Sequence, residues 1–123
     1  MIRTKRIYES SKREDGCRVL VDRIWPRGIS RERAKIDHWL KELAPSTQLR
    51  QWFGHDPKKW IGFVRRYEDE LRQKPSELET LREIIHQHRV VTLVYAARDE
   101  RHNNAAALRQ LMSAIGSREG RAV

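Results

Sequence analysis

The sequence predicts a small single domain of the α/β class, with a short, mostly parallel sheet flanked by helices. Short apolar runs rich in β-branched residues alternate with stretches whose apolar residues recur at helical spacing. Several helical stretches separate the second apolar run from the last one, and parallel strands need such crossover connections. A chain of 123 residues is long enough for one continuous core and too short for two.

Three runs are candidate strands, at residues 2–8, 17–22 and 89–97. The run at 89–97, RVVTLVYAA, is the richest in β-branched residues and has no polar alternation, so we expect it to be central, buried and parallel to the second strand. The second run ends at Asp22, after which the loop sequence RIWPRG follows. Pro26 and Gly28 favour a shaped loop, since proline fixes φ and glycine permits a left-handed turn.

A first helix is predicted at residues 30–43, with Ser30 as N-cap and Pro45 after its end. Its apolar residues recur at helical spacing and are Ile36, Trp39, Leu40 and Leu43. A short second helix is predicted from Ser46, as N-cap, to Gly54.

The clearest helix is predicted at residues 57–73, where one face carries an apolar stripe. The stripe consists of Trp60, Phe63, Val64, Tyr67 and Leu71. Ser76 and Glu79 form a capping box for a fourth helix. The last helix is expected to begin at Asn103 or Asn104 and to end at Gly116, so the domain spans 1–115 and the tail 116–123 is expected to be disordered.

Basic side chains outnumber acidic ones, and the formal net charge is +9. Residues 1–35 hold 11 basic and 5 acidic side chains, so most of the excess surrounds the WPRG loop. This asymmetry favours an anionic partner, which is a phosphate-bearing metabolite, a nucleotide or a nucleic acid. A basic surface that serves only solubility is the alternative.

Other classes of protein are disfavoured. The single cysteine, Cys17, excludes an intramolecular disulfide and a cysteine-based zinc site, and fits a reducing cytoplasm. No apolar run reaches the roughly 18 residues of a membrane span, and the N-terminus lacks the apolar stretch of a signal peptide. We therefore expect a cytoplasmic protein without membrane contact, bound metal or cofactor; its oligomeric state is left open.

Two loops follow strands and are expected to meet at one edge of the sheet, where ligands bind in open parallel sheets. They are residues 22–28 and 98–103, the second of which opens the last helix. Free N–H groups at that helix start and the nearby guanidinium groups would bind an anion. The expected anion-binding residues are Arg23, Trp25, Arg27, Gly28, Arg98 and Asn103.

Three residues at this edge are candidates for proton transfer: Asp22, Tyr95 and His102. Asp22 is interpreted first as the ion-pair partner of a neighbouring arginine, which would lower its pKa. If the strand continued through Arg23, Asp22 and Arg23 would point opposite ways. Tyr95 is alternatively a core aromatic, and Trp25 is more simply explained by packing. His55, in the GHDP turn, could transfer protons, but a hydrogen-bonded structural role is favoured.

Three motifs carry a family resemblance, namely VDRIWPRGISR, LAPSTQLRQWFGHDPKKWIGFVRRYEDEL and TLVYAARDERHNNAAAL. In this order and spacing they resemble the YeaO-like branch of the domain of unknown function 488, over residues 1–115. The resemblance implies a compact bacterial α/β domain and no established reaction. Longer relatives carry a cysteine on the final strand and Cys-His-Arg in the next loop, whereas this chain has Tyr95 and then Asn103, Asn104 and Ala105. Thiol chemistry is therefore not expected.

Two functions follow from these observations. The first is a small enzyme or metabolite-binding domain whose pocket holds a phosphate or carboxylate group between the two loops. The second is a basic nucleic-acid-binding module without catalysis, which the calculated pI near 10.3 and the aromatic residues among basic ones favour. We prefer the pocket, because no recognisable nucleic-acid-binding motif occurs in the sequence.

Overall fold

A computed structural model describes the backbone of residues 1–121 and the side chains of residues 1–114. The strands of these residues are β1 (Ile2–Arg6), β2 (Cys17–Leu20), β3 (His38–Trp39) and β4 (Val91–Tyr95). They form one parallel sheet in the order β1-β4-β2-β3. The three predicted strands are confirmed, with shorter bounds, and β4 is central and parallel to β2 as expected.

Strands β1, β2 and β4 end at nearly the same level of the sheet. Leu20 of β2 is level with Val94 of β4, and Arg6 of β1 is level with Tyr95. The chain segments that leave β1, β2 and β4 therefore emerge together at one edge, which we call the carboxyl edge. Ligands bind outside this edge in open α/β sheets.

The helices are α1 (Arg31–Ala34), α2 (Thr47–Phe53), α3 (Trp60–Arg72), α4 (Pro75–Gln87) and α5 (Asn104–Arg121), and the 3-10 helices are Arg13–Asp15, Lys41–Leu43 and Pro57–Lys59. Side chains from α2 to α5 pack on one face of the sheet in the main core. A smaller cluster packs on the other face around Leu20 and Val94. None of the described helices is long and apolar enough to cross a membrane.

The apolar stripe predicted for residues 57–73 lies in α3 and faces the main core. Four of its five residues are buried, and they are Phe63, Val64, Tyr67 and Leu71. Phe63 stacks on Phe53 of α2 with ring centroids 4.4 Å apart, so α2 and α3 are joined by aromatic packing. Ser46 caps α2 by accepting a hydrogen bond from the Leu49 amide at 3.1 Å, and Gly54 ends it with φ 54°, both as predicted.

The helix predicted at residues 30–43 is wrong. Only Arg31–Ala34 is α-helical, and Lys41–Leu43 forms a separate 3-10 helix. Lys35 adopts a left-handed conformation with φ 49° and ends the α-helix. The chain next forms β3, and the Leu40 amide donates to the Leu20 carbonyl at 2.9 Å. Trp39 packs against the smaller cluster whereas Leu43 lies in the main core, on the other face of the sheet. One continuous helix could not reach both faces, so tertiary packing overrides the local pattern.

Two helix boundaries also differ from the prediction. The capping box at Ser76 does not form, because α4 begins at Pro75, two residues before the start that a Ser76 N-cap requires. Proline is favoured in the first turn of a helix. α5 continues to Arg121 and does not end at Gly116, since a glycine inside a helix is disfavoured by only about 1 kcal/mol relative to alanine. Residues 122–123 of the expected disordered tail lie outside the described residues.

A buried charged cluster ties β1 and β2 to the 3-10 helix between them. Asp15 is 5% exposed and accepts from Arg18 Nη1 at 2.7 Å and from Lys5 Nζ at 3.1 Å. Burial alone would raise the pKa of Asp15, but the Lys12 amide and the Lys5 ammonium together lower it below its ordinary value. Arg18, 3% exposed, also donates to the Ala34 carbonyl. This cluster was not predicted, because Arg18 lies inside an apolar strand and its partners Asp15 and Lys5 carry no local signal of burial.

Candidate functional site

A cleft of about 390 Å³ opens at the carboxyl edge, and we call it the edge cleft. Its walls come from the segment after β2, from α2 and its preceding loop, and from the segment between β4 and α5. Arg23 and Asn103 both line this cleft, as the topology predicted. Other lining residues include Asp22, Pro45, Thr47, Arg50, Phe53, His55, Phe63, Ala96, His102 and Asn104.

Asp22 lies at the junction of the cleft walls. Its Oδ1 accepts from Asn104 Nδ2 at 3.0 Å and its Oδ2 accepts from the Ala96 amide at 3.0 Å. Burial raises the pKa of Asp22, and these hydrogen bonds and the Arg50 charge only partly oppose that rise. Within the described residues Asp22 has no ion-pair partner, so the interpretation as an arginine partner with a lowered pKa is wrong.

Arg23 supplies a half-buried cation to the same cleft. Its Nη2 donates to the Ala44 carbonyl at 3.2 Å, which ties the guanidinium to the loop before α2. Its Nε is fully buried and has no acceptor among the described residues. Since β2 ends at Leu20, the strand alternation that would have separated Asp22 from Arg23 does not apply, and both line the cleft.

Arg50 projects from α2 and adds a second, exposed guanidinium to the lining. The position of α2 is fixed at its start, where Glu70 of α3 accepts from the Ser46 amide at 2.9 Å and from its hydroxyl at 2.5 Å. Nearby, the buried Tyr67 hydroxyl donates to the Leu43 carbonyl. Burial, followed by the charges of Glu70 and Asp22, raises the pKa of Tyr67, so this hydroxyl stays a neutral structural donor.

His102 lines the cleft from the segment before α5. Its Nδ1 lies 2.9 Å from Asp99 Oδ2, and its ring meets the Trp60 ring edge-on at 5.2 Å. The Asp99 Oδ1 accepts from the amides of Arg101 and His102, at 2.9 and 3.0 Å. The bond to the His102 side chain is the main reason that the pKa of Asp99 is lowered. His102 is therefore oriented by a carboxylate, as a proton-transfer histidine requires.

Asn103 and Asn104 position the start of α5. Asn103 is buried, and its Oδ1 accepts from the Ala106 amide at 2.8 Å, so it is the N-cap of α5. Its Nδ2 donates to the Asp99 carbonyl, which leaves its amide little capacity for a ligand. Asn104 Nδ2 donates to the Val21 carbonyl at 2.8 Å as well as to Asp22, and so joins α5 to the end of β2.

The remaining predicted site residues lie outside the edge cleft. Tyr95 is 2% exposed in the main core, and burial is the main cause of its raised pKa. Trp25 donates from Nε1 to the Ile29 carbonyl and meets Trp39 edge-on at 5.6 Å, so it packs in the smaller cluster. Arg27 is exposed, and Gly28, with φ 77°, has the expected left-handed turn.

A second, shallower cleft of about 710 Å³ lies beside the first at the carboxyl edge; we call it the flank cleft. Arg98, which the sequence predicted as an anion-binding residue, lines this cleft and not the edge cleft. The other lining residues are Arg6, Tyr8, His55, Ala96, Ala97 and Asp99. His55, Ala96 and Ala97 line both clefts, so the two are adjoining parts of one depression.

Sequence reasoning did not predict Arg6 or Arg50 as site residues, and it favoured a structural role for His55. Arg6 ends a strand for which the sequence signal is weak. Arg50 lies on a short helix, and the face that this helix presents to the cleft depends on its packing against α3. His55 has φ 57°, a left-handed conformation that is uncommon outside glycine. Within the described residues, no group of three His, Cys, Asp or Glu side chains could hold a metal ion.

Comparison with known proteins identifies the family. Residues 1–122 match the family model described as the inactive DUF488-N3 subclade. The chain is 41% identical over 112 residues to an uncharacterized protein of Mycobacterium tuberculosis, covering 91% of this chain and 93% of that protein. It is 38% identical over 107 residues to the uncharacterized protein YeaO of Escherichia coli, covering 87% and 92%. No solved structure gives a significant match. The predicted YeaO-like resemblance is therefore confirmed, and the chain belongs to the inactive DUF488-N3 subclade.

Proposed function

We propose that this protein binds a small organic anion in the edge cleft. The observation that carries the proposal is the Arg23 guanidinium, which lines the cleft and is held in place by its hydrogen bond from Nη2 to the Ala44 carbonyl. A guanidinium held in one orientation loses little side-chain entropy when it binds an anionic oxygen, and such charge-assisted hydrogen bonds are strong. Arg50 supplies a second positive charge to the same lining.

The other lining residues of the edge cleft indicate what the rest of the ligand is, besides its anionic group. Phe53, Phe63 and Pro45 offer apolar surface, while Asp22 and Gln51 offer polar atoms. A volume of about 390 Å³ suits a small molecule, since ligand pockets typically measure about 300–1,000 Å³. The favoured ligand therefore combines a planar or apolar body with one phosphate or carboxylate group.

Binding without turnover is favoured over catalysis. The family is described as an inactive subclade. Two of the three candidate proton-transfer residues, Asp22 and His102, line the cleft, but both are engaged in hydrogen bonds. Those of Asp22 join the cleft walls, and that of His102 to Asp99 lies within one segment. These bonds suit a rigid binding site in which the arginines select the ligand.

Phenyl phosphate is the probe for this proposal, because it joins an aromatic ring to one phosphate. We expect it to bind more tightly than inorganic phosphate or benzyl alcohol in calorimetry. In amide NMR titrations the largest shifts are expected at Arg23, around Arg50 and in the segment before α5. Arg50→Ala should weaken binding about tenfold or more, because hydrogen bonds to charged groups contribute about 1.5–3 kcal/mol.

Arg27→Ala is the matched control, because Arg27 is an exposed arginine outside both cleft linings. It should leave phenyl phosphate binding within about twofold of wild type. Arg50 is itself exposed, so its variant is expected to fold normally. Equal losses in the two variants, or shifts scattered over the whole surface, would show that general positive charge and not the edge cleft attracts the anion.

A nucleic-acid-binding module is the alternative, and salt dependence separates it from the pocket. A protein that neutralises about six or more phosphates loses roughly a thousandfold or more in affinity between about 50 and 200 mM salt. A cleft that holds one anionic group should show a weak dependence. Tight oligonucleotide binding with a steep salt slope, combined with no binding of phenyl phosphate, would favour the module and reject the pocket.

A further inference from the structure

The flank cleft adjoins the edge cleft at a junction lined by three shared residues. Two of them, Ala96 and Ala97, carry only methyl side chains, and the third is His55. The Ala96 amide is fixed by Asp22, and the Ala96 and Ala97 carbonyls both accept from Arg6 Nε, at 3.2 and 3.1 Å. A ligand longer than the edge cleft could therefore extend over this junction.

Arg6 is held in place on the far side of the junction. Its guanidinium lies over the Tyr8 ring, 4.8 Å from the centroid, and the Tyr8 hydroxyl donates to the Arg27 carbonyl at 2.7 Å. Among the described residues, the hydrogen bonds of Arg6 use only Nε. Its two terminal nitrogens remain available in a fixed orientation, and little side-chain entropy is lost when they bind an anion.

Arg98 is the second cation of the flank cleft. It is exposed, and no described residue is seen to pair with its side chain. The carboxylate of Asp99 also lines this cleft and opposes an anion, but it accepts from two amides and lies 2.9 Å from His102 Nδ1. Two guanidinium groups therefore outweigh one carboxylate that is already engaged.

We infer that the natural ligand carries two separate anionic groups, one bound by Arg23 and Arg50 in the edge cleft and one by Arg6 and Arg98 in the flank cleft. Its class is an organic bisphosphate whose central body lies across Ala96 and Ala97. This inference rests on the proposed function, since the first anionic group occupies the edge cleft. Each cleft alone offers one pair of guanidinium groups, and linking two bound groups in one molecule strengthens binding beyond either alone.

Adenosine 3′,5′-bisphosphate and adenosine 5′-monophosphate are the matched probes. We expect the bisphosphate to bind about tenfold or more tightly than the monophosphate in calorimetry at constant salt. Arg98→Ala should remove most of that difference and should change monophosphate binding by less than about twofold. Arg50→Ala should weaken both probes, because it acts on the edge cleft that they share.

Arg101→Ala is the matched control, since Arg101 is an exposed arginine in the same segment as Arg98 but outside both linings. It should leave the binding of both probes unchanged. If the bisphosphate binds no more tightly than the monophosphate while Arg50→Ala still weakens both, the inference is rejected and the proposed function stands. If neither probe binds, nor phenyl phosphate, both are rejected. Equal effects of Arg98→Ala and Arg101→Ala would also reject the flank cleft as a second site.

Discussion

Asn104 donates from its Nδ2 to Asp22 Oδ1 at 3.0 Å, across 82 positions of sequence. The same nitrogen donates to the Val21 carbonyl at 2.8 Å. The start of α5 is thereby joined to the end of β2, and the two walls of the edge cleft are held at a fixed separation. The relationship explains how residues from distant parts of the chain form one cleft.

Asn104→Ala should destabilise the fold by about 1–3 kcal/mol, because it removes the donor to the buried Val21 carbonyl and one of the two hydrogen bonds to the Asp22 carboxylate. It should also raise the pKa of Asp22 further, since the Asn104 bond opposes the effect of burial. Urea melts and an NMR titration of the Asp22 carboxyl carbon measure the two effects. Arg109→Ala, at an exposed position of the same helix, is the control and should change stability by less than about 0.5 kcal/mol. An unchanged Asp22 titration would contradict the assigned bond.

The raised pKa of Asp22 has a definite effect on stability. Because its pKa is higher in the folded state than its ordinary value of 3.8, the folded state binds more protons between these two values. The contribution of Asp22 to the free energy of unfolding therefore falls as the pH rises from 3.8 to the folded-state pKa. Asp22→Asn removes the titrating group, so the difference in unfolding free energy between variant and wild type should shift in favour of the variant as the pH rises from about 3.8. A constant difference across the window would show that Asp22 is solvated.

The pKa of Asp15 is shifted in the opposite direction to that of Asp22. Its pKa is lower in the folded state, so its contribution to stability is complete above the unfolded value and is lost as the pH falls through the folded value. Asp15→Asn should destabilise the protein by about 3–5 kcal/mol at neutral pH, because Arg18 is left buried without its counterion. Combining it with Arg18→Met should recover part of the loss. Chemical denaturation of the single and double variants measures the coupling, and additive losses would contradict a buried pair.

Phe63→Ala should destabilise the protein by about 3–5 kcal/mol, through lost burial and the cavity left beside Phe53. Ile61→Ala on the same helix is the matched control, since Ile61 is 69% exposed and its loss should be below about 0.5 kcal/mol. Both are measured by denaturant unfolding. A loss below about 1 kcal/mol for Phe63→Ala would show that the stripe of α3 is not part of the core.

The fold was predictable wherever the local pattern and the tertiary packing agree. The stripe from Trp60 to Leu71 has helical spacing and one buried side, so its periodicity corresponds to its packing. Residues 30–43 have similar spacing, yet their apolar side chains divide between the two faces of the sheet. Only the pairing of β3 with β2 decides that division, and a periodic pattern carries no information about it.

The sequence by itself determined the α/β class, the central position of β4 and the edge of the sheet at which Arg23 and Asn103 line one cleft. Strand hydrophobicity can be read locally, and the helical segments between the strands favour parallel connections. The tertiary structure decided which side chains line the clefts. It placed Arg27 and Trp25 outside them and brought in Arg50 and Arg6. Side-chain direction at a loop or on a short helix depends on how distant elements dock, and that docking is fixed by bonds such as Asn104 to Asp22, which no local pattern encodes.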